Sequence, residues 1–474
     1  MIVANLNEFI KKPFKQESYL SEYSDSFLGM PASPEYSMGE MSLASLLRSI
    51  GSNVKEKEVY KINSLRGSVV RKSFEDRWNQ FEKEFKISDD IFSHLKSPLA
   101  GKSPKNPTDY LNLYPIIPQF SYVSNSARFS GNPWNPSEFV KGMISTGSSS
   151  HEHSNGLWKM LFDCLTVTMS DDLWARILDK IFCDKNFQGT KYQWLLQEFT
   201  SKEEGGFPRF SLSTEAFLKY DFPARAFCES IKELVRLKSV TTRRQWISMF
   251  ESFLRISMAS HLLWICSVNI KLWEILKELL FLETKNAFTK DGLVDELFSN
   301  FSGFNIDTNS DNNFKNICGS YAEARIGINL VLHYFDENCK VRVRNNLGDM
   351  EGLCEWLNEL QRHTSSHKDS IKEILIELLG RNPKVQQGEG SFTKNMFFFL
   401  KHSLGQKATN NPREQSFDQG YWVVKKGKAR NAPWVIRFGP VAVITLVALS
   451  IKLKSGSATD ITEFLSKFGI HINP

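Results

Sequence analysis

Nearly every residue from Leu157 to about Ser299 falls in an apolar pattern of helical period, and this alone confines the chain to a mainly α-helical body. Asp171–Phe182 sets Leu173, Ile177, Leu178 and Ile181 on one face, and Thr242–Cys266 and Asn269–Glu283 read as two long helices. Trp246–Cys266 is long and apolar, but Glu251, Arg255 and His261 interrupt it. A membrane span needs ~20 residues that are apolar throughout. The stretch is therefore expected to be a buried core helix, and the longest charge-free run, Phe438–Ile451, is too short to span. No contact with a membrane is expected.

Outside this body the pattern is more broken. Ser42–Ser49 has helical spacing, and Phe74, Trp78, Phe81 and Phe85 form one stripe after a helix start at Ser73. A proline-rich crossing follows, from Pro98 to Pro136, and then Ser145–Gly156, the most linker-like stretch of the chain. Phe301–Asn316 reads as an Asn/Asp-rich loop, Ser320–Tyr334 as a helix and Cys339–Arg344 as a short strand. Glu351–Gln361 with Asp369–Leu379 reads as a helix pair, and Phe392–Ser403 as a further helix. A chain of 474 residues exceeds one ordinary core. The expected units are 1–145, an N-terminal helical and proline-rich segment; 157–300 and 317–404, two helical domains; and 416–474, a C-terminal basic hairpin plus helix pair.

The seven cysteines, an odd number with no C-x-x-C spacing, sit mostly in apolar runs, as reduced core thiols of a cytoplasmic protein do. The N-terminus lacks the basic-then-apolar order of a signal peptide.

The sharpest functional signal lies near the C-terminus. From Gln419 to Thr459 there is no Asp or Glu, but there are Lys425, Lys426, Lys428, Arg430, Arg437, Lys452 and Lys454. The first four lie between two runs that read as strands, Tyr421–Val424 and Trp434–Phe438. The predicted element is a β-hairpin with a basic tip, followed by the helix Val441–Leu453 and a second helix capped by Asp460 with Glu463. Val441–Leu453 is apolar on every side and is expected to be enclosed. The module would be a small α/β, winged-helix-like unit, with the seven cations on the phosphate backbone of duplex DNA. The second helix offers only Lys467, so little base readout is expected. The plainer reading is a solvated hairpin whose lysines serve solubility.

Other constellations are weaker. Arg236, Lys238, Arg243 and Arg244 are diluted by nearby glutamates and read as a solvated helix junction. His151 and His153 lack the further ligands a metal needs. Asp307-Thr-Asn-Ser-Asp-Asn312 imitates a calcium loop, but its twelfth position is Cys318. Glu323, on a helix apolar through Ile328, Leu330, Val331 and Leu332, needs a partner, with Arg325, His363 or His367 as candidates. That pairing is either a structural ion pair or a Glu/His acid–base or metal pair of a nuclease or other hydrolase. Phosphate-loop, dinucleotide, nucleophile-elbow and zincin motifs are absent, and no cofactor or metal is implied.

The run Asp418-Gln-Gly-Tyr-Trp-Val-Val-Lys-Lys-Gly, then Asn431-Ala-Pro-Trp, Gly439-Pro-Val-Ala and Phe464-Leu-Ser-Lys-Phe-Gly-Ile, resembles the tail of bacterial proteins encoded near helicases and ATPases in antiphage defence islands. The segment Ser320-Tyr-Ala-Glu-Ala-Arg-Ile-Gly327 is similar to the Glu/His-signature proteins, among them the C component of the Zorya system. The resemblance covers the tail and a handful of residues near Glu323. It implies a DNA-associated accessory subunit working beside a helicase, ATPase or nuclease, and it assigns no catalytic residue. A pure protein-interaction scaffold is the remaining alternative.

Overall fold

A computed structural model describes residues 5–30, 39–52, 114–122, 136–182, 193–199, 219–282, 287–299, 303–305, 310–343, 347–381, 419–427, 432–452 and 454–471. It also describes the short pieces 186–187, 190–191, 396–397, 399–400, 403–404 and 406–407, and positions 76, 79, 83 and 301. The stripe Phe74–Phe85, most of the proline-rich crossing, and Lys428 and Arg430 lie outside the described residues.

The helices used below are α1 (Leu6–Lys11), α2 (Gly39–Gly51), α3 (Pro136–Gly147), α4 (His151–Leu165), α5 (Leu173–Phe182), α6 (Pro223–Leu237), α7 (Arg243–Phe281), α8 (Lys290–Phe298), α9 (Ser310–Cys339), α10 (Met350–His363), α11 (Lys368–Gly380), α12 (Pro440–Ser450) and α13 (Ala458–Ser466), and the short strands are β1 (Asn186–Phe187), β2 (Thr190–Lys191), β3 (Phe304–Asn305), β4 (Gln406–Lys407), β5 (Val423–Lys425), β6 (Trp434–Ile436) and β7 (Ile470–His471). The protein is mainly α-helical, and α7 is its axis.

The two helices expected over 242–283 are one, 39 residues long, because nothing near Ser267 breaks the hydrogen-bond ladder. Its length is about 58 Å at 1.5 Å per residue. Thr242 caps its start, with Gln245 closing a reciprocal box. By length and composition α7 could cross a membrane, but 89% of its most apolar window is buried inside the fold. Its interrupting polar residues are accommodated internally. Glu251 pairs with Arg255 one turn on and accepts the Tyr114 hydroxyl. His261 lies between Phe139 and Trp264, with ring separations of 5.4 and 5.6 Å, and burial pushes its pKa down to about 3.

Helix α9 packs along α7 and begins earlier than expected. The polar run at its start faces solvent, while Phe314, Cys318 and Tyr321 recur at i, i+4 and i+7 on the buried side. The calcium-like sequence therefore runs into a helix. Where α9 meets α7, Gly327 lies on the Trp273 ring, and a Cβ there would come within 2.5 Å of it. Gly327→Ala should therefore destabilise the protein by about 1–3 kcal/mol despite its better helix propensity. Denaturant unfolding measures this, and a stabilised variant would disprove the close packing.

Of the strand expected over Cys339–Arg344, the described residues 339–343 form none. Lys340 takes the left-handed conformation (φ 56°) and the Val341 amide bonds the Phe335 carbonyl at 3.1 Å, a helix-terminating turn that leads Val341 and Val343 into the core. Ser145–Gly156 is likewise no loose linker. Its first residues end α3, and Ser150 caps α4 by accepting the His153 amide at 3.1 Å.

The basic junction is buried rather than solvated. Arg243 is fully enclosed, its Nε donating to the Ile116 carbonyl at 2.6 Å and its guanidinium meeting the Leu165 carbonyl and the Asp171 carboxylate, the latter at 3.3 Å. Lys238 donates to the Cys164 and Thr166 carbonyls at 2.8 and 3.1 Å. Two cations thus satisfy the open carbonyls at the C-terminus of α4. Burial works to raise the Asp171 pKa, but Arg243, the Thr168 amide and Lys238 outweigh it and hold the carboxyl below its ordinary range. Arg244 stacks on Tyr114 at 3.5 Å, and only Arg236 lies at the surface, tied to Glu233.

Residues 5–30 strap across α7 and α9. The Tyr23 hydroxyl donates to Asn269 at 2.8 Å, Asn269 donates to the Leu28 carbonyl at 3.1 Å, and His333 Nε2 lies 2.9 Å from the Ser18 carbonyl. The buried apolar side chains form one continuous cluster with members from Leu6 to Ile470, drawn from all four expected units.

Candidate nucleic-acid interface

The basic hairpin forms. Strand β5 (Val423–Lys425) pairs antiparallel with β6 (Trp434–Ile436), in register Val423↔Ile436, Val424↔Val435 and Lys425↔Trp434. The other edge of β5 takes a short parallel strand, β4 (Gln406–Lys407). Past β5, Gly427 adopts φ 120°, which glycine alone takes readily, and the Lys426 amide bonds the Pro433 carbonyl at 2.8 Å.

The hairpin is mounted on α7. Gly420 presses on Ser252, where a Cβ would come within 2.9 Å, and Ser252 Oγ donates to the Gly420 carbonyl at 3.0 Å. The buried Trp422 indole returns a bond to the Ser252 carbonyl at 2.8 Å and meets Phe438 edge-on at 4.9 Å.

The structure divides the predicted cations into two groups. Lys425 is half-buried at the end of β5, Lys426 is exposed beside it, and Arg437 is exposed just past β6. Lys452 and Lys454, both exposed, follow α12, whose 11 residues separate them from Arg437 by ~16 Å of helix. Lys426, Lys452 and Lys454 form no ion pair with the described residues. Lys452 is itself left-handed (φ 52°) and, with Lys454, sits at the negative end of the α12 dipole, which supplies a structural use for both.

Helix α12 is not enclosed as its composition suggested. Ala442, Thr445, Leu446 and Leu449 are buried, whereas Val443 and Ile444 are 42% and 58% exposed. Helix α13 is capped three residues earlier than expected, by Ser457 with Asp460. Lys467 is paired with Asp221 and Glu229 at 3.4 and 3.8 Å, so the last helix presents no unpaired lysine. Beyond it, β7 (Ile470–His471) pairs in parallel with β3 (Phe304–Asn305) and ties the module to the body.

The Glu/His pairing does not assemble. Glu323 is 44% exposed, accepts the Trp273 indole N–H at 3.2 Å and lies 3.9 Å from Lys277 Nζ. Arg325, two residues on, is buried with its guanidinium 5.0 Å from the Tyr19 ring. His363 ends α10, and His367 lies against Tyr334, eleven residues and ~16 Å of helix beyond Glu323. Among the described residues no three His, Cys, Asp or Glu side chains are grouped to hold a metal.

No protein-family model, curated protein or solved structure matches this chain.

Proposed function

We propose that this protein is a non-enzymatic accessory subunit that binds duplex DNA through its C-terminal module, a wing-like hairpin backed by two helices, gripping the phosphate backbone with little sequence preference. What supports the reading is the acid-free segment 419–459, of whose exposed cations Lys426 and Arg437 are carried on a hairpin fixed to the central helix and Lys452 and Lys454 follow α12. Cations at a tip read charge, not base edges. In line with its resemblance to defence-island proteins, the body would dock a helicase, ATPase or nuclease subunit of an antiphage complex. The exposed apolar face of α12 favours a second reading, a protein-interaction scaffold.

Salt titration of DNA retention separates the two. Four to five phosphate contacts give a slope of log K against log salt of about −4, at about −0.9 per contact. Replacing Lys425, Lys426, Lys428 and Arg430 by alanine should flatten most of that slope, and replacing Lys452 and Lys454 should remove less than about 2 of it. A quadruple variant that binds DNA like its parent rejects the hairpin as the contact surface. A parent that does not bind favours the scaffold.

A further inference from the structure

The histidine that Glu323 does not reach faces a thiol. His367 precedes α11, and its imidazole lies against the last turns of α9. Its Nδ1 is 3.1 Å from the Tyr334 hydroxyl and its Nε2 is 3.4 Å from Sγ of Cys339. Tyr334 and Phe335, both buried, meet the ring edge-on at 5.5 and 6.1 Å. The ring is therefore held on one side by packing and a hydrogen bond, while Cys339, the last residue of α9, is half-exposed on the other. With Nδ1–H donating to the Tyr334 oxygen, Nε2 is left to accept the thiol proton.

A thiol within hydrogen-bond reach of a base, with that base oriented by a third group, is the arrangement that activates a nucleophile. No other described cysteine has it. Cys164, Cys228, Cys266 and Cys318 are buried. Cys354 is half-exposed like Cys339, but it faces the Phe288 carbonyl at 3.3 Å and the Asn358 amide at 3.6 Å, neither of them a base. Burial alone pushes the Cys339 thiol up, so its thiolate depends on a proton acceptor close by.

We propose that Cys339 is a reactive thiol activated by His367, and that it is a site of reversible mixed-disulfide formation with small-molecule disulfides. The Cys339 thiol passes its proton to His367 Nε2. The thiolate attacks one sulfur of the disulfide, the new S–S bond forms as the old one breaks, and the departing thiolate takes the proton back from the imidazolium. One thiol and one disulfide give one thiol and one disulfide, with no further oxidant.

The test treats the full, natively folded chain with 5,5′-dithiobis(2-nitrobenzoate), follows the released thiolate by absorbance, and locates the modified cysteine by mass spectrometry. Cys339 should react first, at least about tenfold faster than Cys354. Cys339→Ser should remove the fast phase, and Cys354→Ser should leave it. His367→Gln should slow that phase about tenfold while circular dichroism stays native, and Tyr334→Phe, which keeps the ring packing, should slow it less. Equal rates at Cys339 and Cys354 in the parent overturn the proposal without any variant. So does a fast phase that persists in a folded His367→Gln protein.

Discussion

Replacing Arg243 by alanine should lower the stability of this protein by about 3–5 kcal/mol, the usual range for breaking a buried ion pair from one side. The Asp171 carboxylate, 1% exposed, would keep Lys238, at 3.1 Å, as its one paired cation beside the Thr168 amide at 2.7 Å, and the carbonyls of Ile116 and Leu165 would lose the Arg243 donor. An unpaired interior acceptor carries its full desolvation penalty. Arg243→Lys should recover only part of the loss, because one ammonium cannot replace a planar fork that reaches several oxygens at once. Arg236→Ala, on the same basic stretch but at the surface, should change stability by less than about 0.5 kcal/mol. Urea unfolding of the three variants checks the ordering, and equal effects of Arg243→Ala and Arg236→Ala would show that the buried cluster contributes nothing.

Leu446→Asp should disrupt the C-terminal module, whereas Ile444→Asp should leave it intact. The two residues stand two apart on α12, but Leu446 is 5% exposed and Ile444 is 58% exposed. The first change forfeits roughly 1.5–3 kcal/mol of apolar burial and places an unpaired charge against the core. The second adds a charge in water, normally worth within about 0.5 kcal/mol. Limited proteolysis gives the comparison, with the near-ultraviolet signal of the buried Trp422 and Trp434 as a second readout. DNA retention should follow folding, lost in Leu446→Asp and kept in Ile444→Asp, although neither change touches a cation. Two variants of equal stability would mean that α12 is not seated on the face described.

Much of the architecture was legible because it is local. The helical body, the hairpin strands and the pair α10 and α11 follow from period and turn chemistry within short windows. The early start of α9 is also legible, through Phe314, Cys318 and Tyr321, but the polar residues of its solvent face dilute that apolar period. What the sequence concealed is non-local. Arg243 looks like a solvated arginine until Ile116, Leu165 and Asp171, from distant parts of the chain, close around it. The one-sided burial of α12 cannot be read from a helix apolar on every side, since composition does not say which face finds a neighbour. For the same reason Glu323 could be matched on paper with His367, while in space that histidine belongs to Tyr334 and Cys339.

The hairpin's seat on Ser252 has a consequence for orientation. A charged arm on a flexible tether samples many directions, and anything it captures tumbles independently of the body. Here Gly420 and Trp422 lock the arm to a helix about 58 Å long, so its heading relative to the core is set before any encounter. A ligand held by Lys426 and Arg437, beside the paired strands, would be aligned with the whole molecule at once, and little conformational entropy of those strands would remain to be lost on contact. The grip can be weak and still define an angle.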